Sequence, residues 1–311
     1  MNKISIIGAG MTGATTAHLL AERELADLVL VDVVEGMPQG KGLDMLEAMP
    51  IIGKDVAISG ANNYAATKDS DIIIITAGLP RKPGMSRADL LSANAEIVGS
   101  AATETLKHSA DAIYIVLTNP LDTMAYLTMK KTGLPRERVI GQAGILDSAR
   151  MRAFVAMETG VSVENIDCYV LGGHGDEMVP LTRHSNIAGV PLKEYLPADK
   201  LEAIIARTRK GGGEIVNLLK TGSAFYAPSA ACAQMAEAIL KNKHLIVPCA
   251  AYMDGEYGLN DMFFGVPVML GRTGMERIIE YKLDDDEKTM FDKSAAAVKE
   301  THEALKKLVK I

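Results

Sequence analysis

Short apolar segments recur along the first half of the chain, at residues 4–7, 28–31, 72–75 and 112–117. They are rich in isoleucine and valine, and helix-like stretches separate them. Because these segments are apolar throughout, both of their faces are expected to be covered by helices. The alternation predicts an α/β fold with a doubly wound parallel sheet.

The pattern changes after residue 150. Longer helices are predicted for residues 149–159, 198–219 and 229–241, and a hairpin-like stretch over 266–281 turns at residues 271–274. The tail begins with acidic residues and ends with lysines, which suits a terminal helix starting at Asp284 better than a metal site. We therefore expect a first domain over residues 1–144 and a second, closely packed α+β substrate domain over residues 145–311.

Composition excludes several kinds of partner. The 311 residues are 48% hydrophobic, which is enough for two cores, and the net charge of -6 argues against nucleic acid or an anionic membrane. An anionic ligand must therefore be bound by a few local arginines. The three cysteines are far apart and predict neither a disulfide framework nor a zinc site. We also expect a cytoplasmic protein, because the sequence shows no leader peptide and no apolar stretch of about 18 residues.

A glycine-rich loop follows the first predicted strand directly and precedes a helix, and Asp32 ends the second strand. In such a loop Gly8 allows a tight turn, Gly10 lets a pyrophosphate approach the backbone, and Gly13 allows close packing of the helix. The alternative is a simple glycine turn, but the order of strand, turn, helix, strand and acid predicts a Rossmann dinucleotide site. Asp32 would bind the adenosine ribose and repel the extra phosphate of NADP, so NAD is the expected cofactor. The expected cofactor contacts in the loop are Gly8, Ala9, Gly10, Met11, Thr12 and Gly13.

Four further segments occur in a specific order: Leu-Pro-Arg-Lys-Pro-Gly-Met-Ser-Arg at 79–87, Thr-Asn-Pro at 118–120, Asp-Ser-Ala-Arg at 147–150 and Gly-Gly-His-Gly-Asp at 172–176. Together they make the chain resemble the lactate and malate dehydrogenase family, and within it the malate dehydrogenases of the lactate dehydrogenase-like type. The resemblance covers essentially the whole chain. It implies reversible NAD-dependent oxidation of (S)-malate to oxaloacetate by hydride transfer, a reaction of the tricarboxylic acid cycle.

His174 is the expected general acid and base. A hydride that reaches a ketone leaves an alkoxide in need of a proton, and imidazole titrates in the cellular pH range. The resemblance places the catalytic histidine in this motif and pairs it with Asp147, whose carboxylate would favour the protonated ring. The alternatives are a purely structural His174 and an Asp147 that only caps a helix.

Arg150 lies about one helical turn beyond Asp147, so the two side chains can serve one pocket. A planar guanidinium binds a carboxylate through two parallel hydrogen bonds, and the resemblance implies that Arg150 holds the C1 carboxylate of the substrate. A surface ion pair is the alternative. Asn119 follows a strand end, where an open sheet places its ligand. The resemblance implies that its amide orients substrate and nicotinamide, although Asn-Pro is also a common turn.

The segment 79–87 contains two prolines and a glycine, which predicts a loop able to close over the substrate and exclude water. The resemblance implies that Arg87 stabilises the developing alkoxide. It also implies that Arg81 binds the second carboxylate of a dicarboxylate, where the lactate enzymes carry glutamine. Facing the methyl group of pyruvate, a buried Arg81 would have no partner. A basic, solvated loop is the competing interpretation of Arg87.

The resemblance further implies cofactor contacts at Asn94, Leu117, Thr118 and Asn119, and a homo-oligomer, a tetramer in preference to a dimer. Three other functions stay open. A lactate dehydrogenase would prefer pyruvate. A NAD-dependent glycosidase would need a metal, commonly held by cysteine and histidine, and would leave the arginines unexplained. A non-catalytic NAD-binding module would need none of the catalytic residues.

Overall fold

A parallel sheet organises the first half of the chain. The computed structural model describes residues 2–80 and 86–309. The strands are β1 (Lys3–Ile7), β2 (Asp27–Val31), β3 (Ile58–Ala61), β4 (Ile72–Ile75), β5 (Ile113–Val116) and β6 (Val139–Gly141), and the helices are α1 (Met11–Glu22), α2 (Met37–Ile52), α3 (Arg87–Leu106) and α4 (Leu121–Thr132). The strands pair in parallel in the order β3-β2-β1-β4-β5-β6. The predicted doubly wound sheet is confirmed.

The second half mixes helices with antiparallel strands. Its helices are α5 (Gly144–Thr159), α6 (Leu192–Tyr195), α7 (Ala198–Leu219), α8 (Tyr226–Leu240) and α9 (Asp285–Leu308). Its strands are β7 (Ile166–Asp167), β8 (Val170–Leu171), β9 (Val179–Pro180), β10 (Asn186–Ile187), β11 (Val190–Pro191), β12 (Leu245–Asp254), β13 (Asn260–Gly271) and β14 (Gly274–Ile278). This α+β composition agrees with the sequence-based expectation.

One sheet runs through both halves. Strand β12 pairs antiparallel with β6 through Ala250 and Gly141, and β13 and β14 continue the sheet outwards. The sequence predicts two closely packed units but does not indicate this pairing. The shared sheet fixes the elements that follow β5 and β6 relative to the second half of the chain.

Some element boundaries differ from the prediction. The helix expected at 149–159 begins earlier, at Gly144. The sequence pattern missed its first turn because every residue there is buried, so the turn shows no alternation of apolar and polar positions. The helix expected at 229–241 spans Tyr226–Leu240. The strand β12 was not predicted, and Pro248 lies within its apolar run, a residue that usually argues against an interior strand. The tight turn at 271–274 and the helix after Asp284 are confirmed.

The start of α9 shows how the acidic cluster is used. The Asp284 carboxylate accepts from the backbone N–H of Glu287 at 2.9 Å, and Glu287 accepts from the Asp284 N–H at 3.0 Å. This reciprocal capping box satisfies two amides that a helix start leaves without partners. The cluster is therefore a helix cap, as predicted.

Two observations bear on the wider class of protein. Within residues 2–80 and 86–309, no helix has the length and apolar character needed to cross a membrane. Cys168, Cys232 and Cys249 are buried free thiols.

The glycine loop lies between β1 and α1, and its glycines have different tasks. Gly8 has φ +102°, a left-handed conformation, and a Cβ there would lie 2.7 Å from the backbone nitrogen of Ala77. A Cβ on Gly13 would collide with the carbonyl oxygen of Gly8, whereas a Cβ on Gly10 would meet no atom within 4 Å. Gly8 and Gly13 are therefore needed to build the turn, and Gly10 leaves open space above it.

This difference predicts opposite outcomes for two alanine variants. Gly13→Ala should lower the free energy of unfolding by about 1–3 kcal/mol, since the added methyl group forces the backbone of the loop to move. Gly10→Ala should leave the melting temperature close to that of wild type and weaken the binding of NADH instead. Thermal unfolding and NADH fluorescence titration would measure both effects. Equal losses of stability in the two variants would contradict the assignment.

Candidate active site

Asp147 is the centre of the site. It is the fourth residue of α5, whose N-cap position is occupied by Ala143, so the helix-capping interpretation of Asp147 is wrong. The carboxylate is almost completely buried, at 1% exposure. Its Oδ2 accepts a hydrogen bond from Nδ1 of His174 at 2.8 Å, and its Oδ1 accepts from Arg150 at 3.0 Å. The two residues predicted to act on the substrate are thus held by one carboxylate.

The ionisation of His174 follows from these neighbours. Burial lowers the pKa of the imidazole, but the negative charge of Asp147 and its hydrogen bond raise the pKa by more. The nearby charge of Arg150 opposes the rise. The net shift is upward, so the ring is protonated at a higher pH than a free histidine. With Nδ1 engaged by Asp147, Nε2 is the nitrogen available to a ligand.

Helix α7 makes room for the guanidinium of Arg150. A Cβ on Gly211 would lie 3.2 Å from Cδ of Arg150, and one on Gly212 would lie 3.6 Å from a terminal nitrogen of its guanidinium. The Arg150 side chain is only 13% exposed, and its Nε has no hydrogen-bond partner among the described residues. The three consecutive glycines from residue 211 are the sequence signal for this contact, and the sequence interpretation missed them.

The end of β5 brings a second group of predicted residues to the site. The peptide bond between Asn119 and Pro120 is cis. The Asn94 amide donates to the carbonyl oxygen of Asn119 at 2.7 Å and accepts from the N–H of Leu79 at 2.7 Å. Thr118 donates to the carbonyl oxygen of Ala77 at 2.7 Å. Asn94 and Thr118 therefore connect the ends of β4 and β5.

Asp32 lies beside the glycine loop, as predicted, and also has a structural role. One carboxylate oxygen accepts from the backbone N–H of Ala9 at 2.7 Å, and the other accepts from Val34 at 3.0 Å. Lys41 donates to the carbonyl oxygen of Ala9 at 2.7 Å. Both backbone groups of Ala9 are thus bound by charged side chains, which the sequence did not indicate.

A cavity of about 340 Å³ connects these elements. Its walls include predicted site residues from both halves of the chain, namely Thr12, Leu117, Asn119, Arg150 and His174. Gln142 and Arg209, which the sequence interpretation missed, also line the cavity. Gln142 is 1% exposed, and its Nε2 has no hydrogen-bond partner among the described residues. A volume of this size suits a small ligand together with part of a cofactor.

Two predicted residues are not placed by the structure. Arg81 lies outside the described residues, and Arg87 is described only as the first residue of α3. That helix begins with a capping box between Ser86 and Asp89. The roles expected for both arginines remain predictions.

Comparison with known families matches almost the whole chain. A family model described as the NAD binding domain of lactate/malate dehydrogenase matches residues 2–141. A second, described as the alpha/beta C-terminal domain of the same family, matches residues 145–309. A malate dehydrogenase of Roseiflexus castenholzii is 58% identical over 98% of this chain and 99% of its own length. One from Halalkalibacterium halodurans is 55% identical over 98% of each chain.

Solved structures give the same result. A malate dehydrogenase of Cryptosporidium parvum superposes with a TM-score of 0.96 at 46% identity, covering 98% of this chain and 99% of that one. A lactate dehydrogenase of the same organism, complexed with lactic acid and nicotinamide adenine dinucleotide, has a TM-score of 0.95 at 39% identity over 98% of each chain. The chain therefore belongs to the lactate/malate dehydrogenase family.

Proposed function

We propose that this chain is a NAD-dependent malate dehydrogenase that reversibly oxidises (S)-malate to oxaloacetate. The observation that carries the proposal is the buried Asp147 carboxylate, which holds a proton donor and a carboxylate-binding arginine in one cavity. Relatives of 55–58% identity that bear the name malate dehydrogenase support the choice of substrate.

The cofactor site fits NAD. The backbone above Gly10 is open, and α1 begins there without a side-chain cap, so its first amides can bind a pyrophosphate. We assign the adenosine ribose to Asp32, and we assign the nicotinamide end to the part of the cavity that Leu117 and Asn119 line. When bound, NAD accepts or supplies the hydride. Direct cofactor contacts of Thr118 and Asn94 remain predictions, since their side chains already bond to neighbouring backbone groups.

The chain's own residues handle the proton and the carboxylates. Protonated His174 donates to the oxygen of oxaloacetate from Nε2, and in the reverse direction neutral His174 removes the hydroxyl proton of malate. Arg150 binds the C1 carboxylate with the guanidinium nitrogens that Asp147 does not engage. We assign Arg87 to the alkoxide and Arg81 to the second carboxylate. Asn119 orients the substrate oxygen.

Lactate dehydrogenase is the second candidate, because a lactate dehydrogenase shares the fold with a TM-score of 0.95. Fold likeness therefore does not separate the two activities. The residue that favours malate is Arg81, whose charge would have no partner beside the methyl group of pyruvate.

Three further expectations belong to this proposal. The domain boundary is placed between residues 144 and 145, at the start of α5. The enzyme is expected to act in the cytoplasm, in the tricarboxylic acid cycle.

The chain is expected to form a homotetramer in preference to a homodimer, and the apolar side chains that α2 exposes, including Leu43 and Ile51, support self-association. Sedimentation at micromolar protein concentration tests this assembly, and a monomer at that concentration would contradict it.

Steady-state rates with oxaloacetate, pyruvate, NADH and NADPH on the purified chain test the function. We expect the highest kcat/KM for oxaloacetate with NADH. A preference for pyruvate would favour the lactate dehydrogenase alternative, and equal use of NADPH would exclude the role of Asp32. The absence of turnover with either ketoacid would favour the non-catalytic NAD-binding module.

Arg81 should determine specificity without being needed for the chemistry. Arg81→Gln is expected to lower kcat/KM for oxaloacetate on the order of 100-fold, a loss of about 2.7 kcal/mol of transition-state binding, and to raise kcat/KM for pyruvate. Arg150→Gln is the matched control, and it should impair both substrates because both carry the C1 carboxylate. A ratio of the two specificity constants that stays within a fewfold of wild type after Arg81→Gln would refute this assignment.

The upward pKa shift of His174 predicts opposite pH dependences for the two directions. The kcat/KM for oxaloacetate should fall as pH rises through the pKa of His174, while that for malate should rise. Asp147→Asn should move both transitions to lower pH and reduce kcat/KM by on the order of 10²–10⁴. His174→Asn should abolish turnover and retain NADH binding.

Glu177→Gln provides the control for Asp147→Asn. Glu177 is three residues from His174, about half exposed, and paired with Lys293 at 2.9 Å. The pH profile of kcat/KM for Glu177→Gln should match that of wild type. If Glu177→Gln shifted the profile as far as Asp147→Asn does, the effect would come from general surface charge.

A further inference from the structure

The backbone of His174 is bound by a carboxylate that the proposed mechanism does not use. Asp122 lies in the first turn of α4. Its Oδ2 accepts a hydrogen bond from the backbone N–H of His174 at 2.9 Å. The residue is buried, with 6% of its surface exposed. Two acids from different helices thus bind the same histidine, Asp147 at the ring and Asp122 at the main chain.

The turn that carries His174 has one more anchor. The N–H of Gly173 donates to the hydroxyl of Ser294 on α9 at 3.0 Å. Successive amides of the turn are therefore bound by a neutral hydroxyl and by a carboxyl group. Either group can hold the turn in place, but only the carboxyl group can add a charge next to the imidazole.

The environment of Asp122 makes its charge sensitive to pH. Burial raises the pKa of its carboxyl group to about 6, although the hydrogen bond from His174 and the charge of that residue act in the opposite direction. The nearby negative charge of Asp147 adds to the rise. Its Oδ1 has no hydrogen-bond partner within the described ranges, which leaves an oxygen able to carry a proton. Asp122 therefore titrates in the same pH range as an imidazole.

A further titratable group close to Asp122, among the residues that the structure describes, is His302 of α9. Its Nδ1 lies 2.8 Å from the carbonyl oxygen of Val298, and its ring packs edge-on against Tyr126. Burial lowers the pKa of His302, so this ring is neutral near pH 7 and adds no positive charge that would offset Asp122. Among the described residues, the titratable groups that face Asp122 are thus His174, Asp147 and a neutral His302.

We propose that Asp122 is a positioning residue for His174, and that its negative charge, together with that of Asp147, favours the protonated imidazole needed to reduce oxaloacetate. The inference rests on the proposed function for its catalytic consequence. The effect of Asp122 on the protonation of His174 does not depend on that function and can be measured without turnover.

Two variants of Asp122 separate the charge from the hydrogen bond. Asp122→Asn keeps an oxygen that can accept from the His174 N–H but removes the charge. Asp122→Ala removes both. Ser294→Ala is the matched control, because it loosens the same turn without any change of charge.

The first measurement is the titration of His174 by NMR on ring-labelled histidine, with the signal assigned by its absence in His174→Asn. In Asp122→Asn the midpoint should move to lower pH, and in Ser294→Ala it should stay at the wild-type value. The wild-type curve should also be broader than a single-proton titration, because Asp122 ionises in the same range. A narrow wild-type curve, or an Asp122→Asn curve that superposes on it, would overturn the charge effect.

The second measurement is kcat/KM for oxaloacetate between pH 6 and 8.5. Asp122→Asn should match wild type within about twofold at pH 6 and lose about threefold to tenfold at pH 8.5, where the smaller protonated fraction limits the rate. Asp122→Ala should lose kcat at both pH values, while Ser294→Ala should change the rate without changing its pH dependence. An Asp122→Ala enzyme with the kcat of Asp122→Asn would overturn the positioning role.

Thermal unfolding provides a structural check. The raised pKa of Asp122 means that its ionised form opposes folding, and this penalty is absent below the unfolded pKa and present above about pH 6. The melting temperature of Asp122→Asn should therefore rise relative to that of wild type between about pH 4 and pH 6, and the difference should stay constant above that range. If the NMR midpoint shifts but no variant or wild type reduces oxaloacetate, the proposed function fails and the ionisation effect stands.

Discussion

The rest of the site depends on the buried carboxylate of Asp147. A charge held at 1% exposure is costly unless it is paired and hydrogen-bonded, and here both oxygens are engaged, one by His174 and one by Arg150. The same two bonds that stabilise the buried charge also fix the imidazole of His174 relative to the guanidinium of Arg150, the two groups that we propose act on the substrate. The Asp147 carboxylate therefore both satisfies its own buried charge and holds the two side chains at a fixed separation.

The continuous sheet holds that arrangement in place. Strand β12 joins β6, and the Gly172 N–H donates to the carbonyl oxygen of Gly265 on β13 at 2.8 Å. The turn with His174 is therefore attached to the same sheet in which β1 leads into the glycine loop. Ser229 of α8 adds a direct link, since its hydroxyl donates to the carbonyl oxygen of Thr12 at 2.8 Å. The glycine loop and the turn that carries His174 are thus connected through one sheet and through α8.

Electrostatics in the cavity are balanced by several partners at once. Burial and the charge of Arg150 lower the pKa of His174, whereas Asp147 and Asp122 raise it, and the net shift is upward. The glycines of α7 contribute by shape alone, because a side chain at Gly211 would approach Arg150 closely. Fold likeness to lactate dehydrogenases shows that such a framework serves more than one substrate.

The sequence by itself determined the parallel sheet, the glycine loop with Asp32, and the identity of His174, Asp147 and Arg150 as candidates. The sheet and the glycine loop are local motifs or repeat with a short period, so neighbouring residues reveal them, whereas the three candidates were identified through the family resemblance of their motifs. Only the tertiary structure decided that Asp147 is no helix cap, that β12 extends the parallel sheet, that Asp122 accepts from the His174 N–H, and that Gln142 lines the cavity. The reason is that these contacts join segments far apart in the chain, where no spacing or periodicity connects the partners before the backbone folds.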